Sequence, residues 1–366
     1  MTSGVDRKQL IHDGFGTAGK AVQHAALRGA DRWSKCGPPP CVVIADCGTW
    51  KTKHAAAGLV PAEEVGTLKA IAAAAGYREA GWRADACIGD VRSRPRTAYR
   101  NAITIAATDS HACKCSSVQK SLQVQSPAIA IGLGPDEAVV EFFSPGSGGY
   151  CCCHRHNREW NRRTPCEEVR ARTSTTAVAW SVNPRSAMLA GELAVDVVLD
   201  YLNTSHFPGG TGAHVVGDHI QWFAFNRDEN CEEPHDVAFT PAGHNIVSVS
   251  ASPHRLSVSQ LLELAGQDAC YADRELAWHW ACAACGRTDQ FRVHTVHPPK
   301  PCDNCGSPMQ PGIEQATGLT HDEIRALHDD GPLSLAGMGL ADEAILRCAS
   351  TATGEIVWVH LIGEER

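Results

Sequence analysis

Cys282-x-x-Cys285 and Cys302-x-x-Cys305, with residues 286–301 between them, are two identical knuckles that each aim two thiols at one point. Four soft donors from two such turns match tetrahedral zinc at the spacing of a zinc ribbon. Gly286 and Gly306 follow the second cysteine of each pair, where backbone amides fold back toward the sulfurs. A four-thiolate site has no open coordination position, so its expected work is to staple residues 276–312 rather than to react. Reactive groups have to be sought elsewhere.

Gly14-Phe15-Gly16-Thr17-Ala18-Gly19 is a GxGxxG run that opens a helix-like segment, and Asp46 ends the apolar run CVVIAD. Glycines at these places allow a tight turn and let backbone amides approach a phosphate. A plain glycine-rich turn, or a nicotinamide- or flavin-dependent enzyme, would show the same run. Neither explains three features farther along the chain: Val65-Gly66-x-x-Lys69, Thr108-Asp109 at the end of another apolar run, and a loop dense in cysteine, histidine and arginine from Ser144 to Thr176. Lys69 alone would read as a solvated helix lysine. His111, Cys113 and Cys115 form a further cluster, but on a helix i and i+2 point apart.

The elements that must position these groups alternate along the front of the chain. CVVIAD (41–46), ADACIG (84–89), ITIAAT (103–108) and PAIAIGLG (127–134) read as buried strands, with helical segments between them. KQLIHD, ahead of the glycine run, is too polar to read well as one. Such alternation predicts an α/β fold, a Rossmann-like and mostly parallel sheet with helices on both faces. Asn183-Pro184 opens a helix through about Tyr201, and strands are expected around HVVG and IQWFAFN. Farther on, Ser257-x-x-Gln260 is a capping box, HDEIRALHDD a short helix, and AILRCAS and EIVWVHLI strands. The expected division is residues 1–243, and a small α+β module at 244–366 that contains the zinc ribbon.

Taken in order, the glycine run, Asp46, Lys69, Thr108-Asp109, the cysteine-rich loop with Pro165-Cys166-Glu167, and the helix from Asn183 resemble the ubiquitin-activating-enzyme-like family of ThiF, MoeB and HesA adenylyltransferases, over residues 8–235. The resemblance implies that Gly14, Gly16 and Gly19 hold ATP phosphates, Asp46 the ribose, Lys69 a phosphate, and Asp109 magnesium. It implies a reaction in which the terminal carboxylate of a ubiquitin-like or sulfur-carrier protein, or a peptide, attacks the α-phosphate and pyrophosphate leaves. Cys166 falls at the family's loop cysteine, which receives the acyl group as a thioester or takes part in sulfur transfer; Arg162, Arg163 and Arg170 stand near it. A second zinc is implied, with Cys151, His154, Cys231 and His235 as ligands, or with Cys153 in place of Cys151 or His154. A homodimer is the family's habit.

The chain also departs from the pattern. His54 and Ala57 stand where the family has an asparagine and an arginine that meets the nucleotide, with Lys51 or Lys53 as substitute charges. Ser110 and Thr17 replace a usual asparagine and glycine, and Arg7 is the one stand-in for an arginine given across the dimer. A relative that binds the partner without turning over ATP is therefore the alternative function.

Composition sets the outer limits. At 366 residues and 43% hydrophobic the chain can bury a large core, and a formal charge of -8 without a basic run argues against nucleic acid as a partner. Ala187 to Leu202 is the best apolar stretch, but Glu192, Asp196 and Asp200 break it, so no membrane span is expected. Seventeen cysteines and a start unlike a signal peptide suggest a reducing, cytoplasmic setting, with thiols kept for metal or chemistry.

Overall fold

The computed structural model describes residues 8–89, 91–154, 182–228, 231, 245–277, 280–282, 284–289, 293–294, 301–307, 309–311, 315–320, 334–336, 340 and 344–362. Contacts divide the chain into two units, Met1–Val91 with Arg96–Pro241, and Arg92–Pro95 with Ala242–Arg366.

In the first unit β1 (Gln9–Asp13), β2 (Cys41–Ala45), β3 (Ala84–Cys87), β4 (Ala102–Ala106) and β5 (Ala128–Leu133) are parallel, in the order β3-β2-β1-β4-β5. Three antiparallel strands, β6 (Glu137–Phe143), β7 (Thr211–Val216) and β8 (His219–Ala224), extend the same sheet. The four runs expected to be strands are β2, β3, β4 and β5. Between the strands run α1 (Thr17–Arg28), α2 (Ala30–Lys35), α3 (Thr52–Ala56), α4 (Lys69–Glu79), α5 (His111–Gln123), α6 (Tyr150–Cys153) and α7 (Pro184–Thr204). Alternate residues of a strand face opposite sides, and both sides are apolar here. Leu10, Ile103, Ile105, Ile129 and Ile131 pack with Val22, Ala73 and Val198 of α1, α4 and α7, while Ala106, Ala128 and Ala130 pack with Val118 and Leu122 of α5. Helices therefore cover both faces.

The central strand is the one the sequence hides. KQLIHD looks too polar, yet His12 and Asp13 have no exposed surface. Each has a tyrosine: the Tyr77 hydroxyl lies 3.2 Å from His12 Nε2, and the Tyr99 hydroxyl donates to Asp13 Oδ2 at 2.8 Å. Burial alone pushes the His12 imidazole from its ordinary 6.5 down to about 3. The long helix α7 opens as expected, with Asn183 Oδ1 accepting from the Arg185 and Ser186 amides. It lies against α1 so closely that a Cβ on Gly191 would stand 2.6 Å from the Ala21 carbonyl carbon and 2.9 Å from the Val22 nitrogen. Ion pairs flank that contact, Arg28 with Glu192 and Arg32 with Asp196, all about half exposed and worth little.

The second unit has β9 (Asn245–Ser250), α8 (Val258–Ala265), β10 (Ala269–Ala277), β11 (Trp280–Ala281), β12 (Thr288–Asp289), β13 (Val293–His294), β14 (Gln310–Pro311), β15 (Gln315–Thr320), β16 (Ile345–Ala349) and β17 (Ile356–Ile362). One sheet runs β13-β10-β16-β17-β9 with β15 also on β10, and β12-β11-β14 form another. The Ser257–Gln260 capping box is complete, and α8 lays Val258, Leu261 and Leu262 on Leu346, Cys348, Val357, Val359 and Leu361. The helix expected at HDEIRALHDD lies outside the described residues.

Two outcomes test this packing. Gly191→Ala should destabilise the first unit by about 1–3 kcal/mol, because backbone and not a flexible tip opposes the new methyl; an unchanged denaturation midpoint would refute the close approach. His12 stays neutral in the fold but takes a proton at 6.5 once unfolded, so stability should fall as pH drops from 6.5 toward about 3. One proton corresponds to a slope of about 1.4 kcal/mol per pH unit. Denaturant midpoints of wild type and His12→Gln across that window should diverge, and parallel profiles would exclude His12 as the source.

Candidate functional site

β1 runs directly into the glycine turn. Gly14 has φ +84°, and a Cβ on it would lie 2.7 Å from the Thr108 nitrogen and 2.8 Å from its Cα, so the turn seats against the end of β4 only as glycine. Gly19 lets α1 sit on the turn, since a Cβ there would be 2.9 Å from the Gly14 oxygen. Gly16 is the N-cap of α1, without a side-chain hydrogen bond to the first amides, and a Cβ on it would meet nothing within 4 Å. Uncapped amides behind open space favour an anion.

Asp46, one residue past β2, grips this turn. Its Oδ2 accepts from the Phe15 amide and its Oδ1 from the Gly48 amide, both at 2.6 Å. Lys69 arrives at the same backbone patch: a Cβ on Gly48 would lie 3.0 Å from Asp46 Oδ1 and 3.3 Å from Lys69 Nζ. The strap that brings it there is local. Thr49 bridges Leu68, the Trp50 amide donates to Thr67 at 2.9 Å, and the Lys69 amide donates to Gly48 at 3.0 Å. The ammonium also stands 5.6 Å from the ring centre of Trp50, a residue only 1% exposed.

Asp109 is exposed and follows β4, with Thr108 against the glycine turn and Ser110 capping α5. The carboxyl ends of β2, β1 and β4 thus carry Asp46, the glycine turn and Asp109 side by side. Sheet order reverses between β1 and β4, and such a reversal is where open α/β sheets bind ligands. One or two carboxylates beside phosphates are the usual protein share of a magnesium site, so an exposed Asp109 suits that ion. His54, where the family's asparagine was expected, packs its ring on Trp50 at 5.3 Å and accepts from the Lys51 amide at 2.9 Å. Its work is to hold the strap. Cys166, Arg162, Arg163 and Arg170 lie outside the described residues.

The two knuckles close as spaced. Cys282 Sγ lies 3.5 Å from Cys305 Sγ, and Cys285 Sγ lies 3.6 Å from Cys302 Sγ, with all four sulfurs within 4.8 Å of one another. Zinc with four thiolates at about 2.3 Å needs sulfurs about 3.8 Å apart, so the set fits. Each knuckle repeats the same bonds: Gly286 to the Cys282 oxygen at 2.9 Å, and Gly306 to the Cys302 oxygen at 2.7 Å. Hydrogen bonding from the Arg287 backbone brings the Cys285 thiol down to about 6 and the Ser307 backbone lowers Cys305, whereas Cys282 is pushed up to about 11. The apolar cluster around them is only Cys282, Cys302 and Met309 among the described residues. A metal would add to the short β12-β11-β14 sheet and this small cluster in holding the piece together.

A second thiol group forms with a different membership from the one expected. Cys151 Sγ and Cys231 Sγ lie 3.3 Å apart, joined by Cys152. Cys115 of α5 hydrogen-bonds to Cys151 as well and, with Cys152, Cys231 and burial, drives the Cys151 thiol up. His154 is not with them. It turns to Glu141, as does Cys153, because the single turn of α6 spreads successive side chains around its axis. His235 lies outside the described residues. Cys152 has no signal of its own in the sequence, and Cys115 belongs to the cluster discounted on i, i+2 spacing, although His111 and Cys115 are spaced i and i+4 and share a helix face. His111 packs on Tyr150 and His154, and burial, with His154 and Lys114 nearby, lowers it to about 3.

No protein-family profile and no curated protein matches the chain. Solved structures that resemble it include MccB of E. coli with AMPCPP and selenomethionine MccA, at 15% identity, 62% of this chain, 66% of that one and a TM-score of 0.46. MccB with ATP gives 14% identity, 62% and 65% coverage and a TM-score of 0.45, and PaaA gives 15%, 60%, 72% and 0.43. The chain thus spans slightly less than two thirds of MccB. Among the described residues no helix is long and apolar enough to cross a membrane.

Stringent chelation should open residues 280–311 to protease while residues 8–89 and 182–228 stay resistant. Unchanged digestion of 280–311 after verified metal removal would show that the four cysteines stabilise nothing.

Proposed function

We propose that the first unit binds ATP and magnesium at the carboxyl edge of β2, β1 and β4, and adenylates the terminal carboxylate of a ubiquitin-like or sulfur-carrier protein or of a peptide. The observation that carries this reading is the gathering of Asp46 and Lys69 on one backbone patch beside an uncapped, glycine-gated helix start. The attacking carboxylate is already a nucleophile, so the site needs no general base. It needs to hold two anions in line and offset their repulsion. Lys69 supplies a fixed positive charge, the first amides of α1 supply donors, and Asp109 supplies an oxygen ligand for magnesium, which neutralises phosphate charge when bound. On this reading the Cys166 thiolate afterwards attacks the acyl-adenylate and forms a thioester with release of AMP, or takes sulfur from a donor persulfide, whose thiol leaves.

One observation favours a second reading. Both oxygens of Asp46 already accept backbone amides, and His54 serves the strap rather than a nucleotide. A partner-binding relative that does not turn over ATP would keep those bonds and lose little.

ATP–pyrophosphate exchange separates the two. Wild type is expected to exchange with at least one member of a panel of ubiquitin-like proteins, sulfur carriers and peptides with free terminal carboxylates, and Asp109→Ala to lose roughly 100-fold. Lys69→Ala should weaken binding of a non-hydrolysable ATP analogue about tenfold or more, the worth of a hydrogen bond to a charged group. Analogue binding that ignores both substitutions would defeat the nucleotide assignment itself; binding without exchange would leave the scaffold.

A further inference from the structure

We propose that Glu141, Cys153 and His154 form a three-ligand site for a divalent cation of the zinc class, distinct from the Cys151–Cys152–Cys231 group beside it.

Glu141 lies in β6 between Val140 and Phe142, and the residue is 3% exposed. Its neighbours across the sheet are Ala130 on β5 and Gly212 on β7, neither of which offers a polar side chain. A carboxylate there is costly unless partners are brought to it. They come from α6 and its cap. Cys153 Sγ donates to Oε1 at 3.0 Å, and His154 Nε2 lies 2.8 Å from Oε1 and 3.0 Å from Oε2. The three donor atoms all fall within 4.8 Å of one another. Neutralising one carboxylate requires one imidazolium; a thiol on the same oxygen adds no charge. It becomes useful if the group coordinates a cation, because carboxylate oxygen, thiolate and imidazole nitrogen are the three donor types zinc accepts.

The surroundings fit coordination. Tyr150 lies over the His154 ring at 4.3 Å between centroids, and His111 meets it edge-on at 5.5 Å, so the imidazole is held in one orientation. Burial and the nearby Glu141 keep the Cys153 thiol protonated in the absence of a cation. When the cation enters, metal–sulfur and metal–nitrogen bonds form, the Cys153 S–H and His154 Nε2–H bonds break, and both protons leave to solvent, the Nε2 proton alternatively moving to Nδ1 where that nitrogen is bare. Three protein ligands leave the fourth position to water or an outside donor, the format of a reactive centre rather than a staple. His154 is only partly buried, which leaves a way in. Through His111 the site adjoins the start of α5, two residues after Asp109. The proposal does not depend on nucleotide binding.

Zinc content of the full-length protein, dialysed against buffered free Zn2+, tests it. Glu141→Gln and Cys153→Ser are each expected to lose one equivalent relative to wild type, while Tyr150→Phe keeps the full content. A loss of none, or of two, in both variants overturns the assignment. Should the variants misfold, wild type alone decides: adding Zn2+ to chelator-treated protein should slow iodoacetamide alkylation of Cys153 at least tenfold, read by mass spectrometry. An unchanged rate overturns it. Where Glu141→Gln does fold, its Cys153 rate should not respond to zinc, and full protection there would assign the effect to the neighbouring thiols instead.

Discussion

Everything in the first unit depends on burying a polar strand at the centre of the sheet. β1 sits between β2 and β4 and joins the β2–β3 pair to the β4–β5 pair, yet its last two residues are His12 and Asp13. Their burial is tolerable because Tyr77 from α4 and Tyr99 from the turn before β4 each reach one of them. The two tyrosines come from opposite flanks of β1 in space. Satisfying the strand therefore fixes α4 and the approach to β4 at once, and with them Lys69 and Asp109.

That dependence explains what the sequence could and could not disclose. β2, β3, β4 and β5 are continuous apolar runs, which burial on both faces demands, and they were legible. So were α7 from Asn183-Pro184 and α8 from its capping box. β1 was not, because its polar residues are acceptable only through partners 65 and 86 residues away. β6 carries Glu141 amid apolar residues and gave no clean alternation either. At the site, Asp46 and Lys69 could be read from order along the chain. The strap that joins them is a pairing of backbone, and backbone pairing leaves no mark on residue type.

The cysteines divide along the same line. Two repeated knuckles announce themselves because a local turn makes both ligands of each pair, and spacing carries the whole signal. The Cys151, Cys152, Cys231 group joins a short helix to the chain beyond β8, and its geometry is set by how α6 turns. A run of three cysteines and a histidine says nothing about which side chain faces which way. One turn of helix distributes them, two toward Cys231 and two toward Glu141.

The strap formed by residues 48–50 and 66–69 encloses a loop whose two ends are fastened to each other before the loop begins. Lys69 is thereby decoupled from the composition and length of what lies between. Substitution at Ala57, or an insertion near Pro61, would alter what the loop presents to an incoming molecule while the ammonium stays put. Residues 56–59 and 61–65, outside the strap contact of His54 and the buried Val60, are in this sense an exchangeable cassette, a place where selectivity can drift, or be engineered, at small cost to the frame that carries charge.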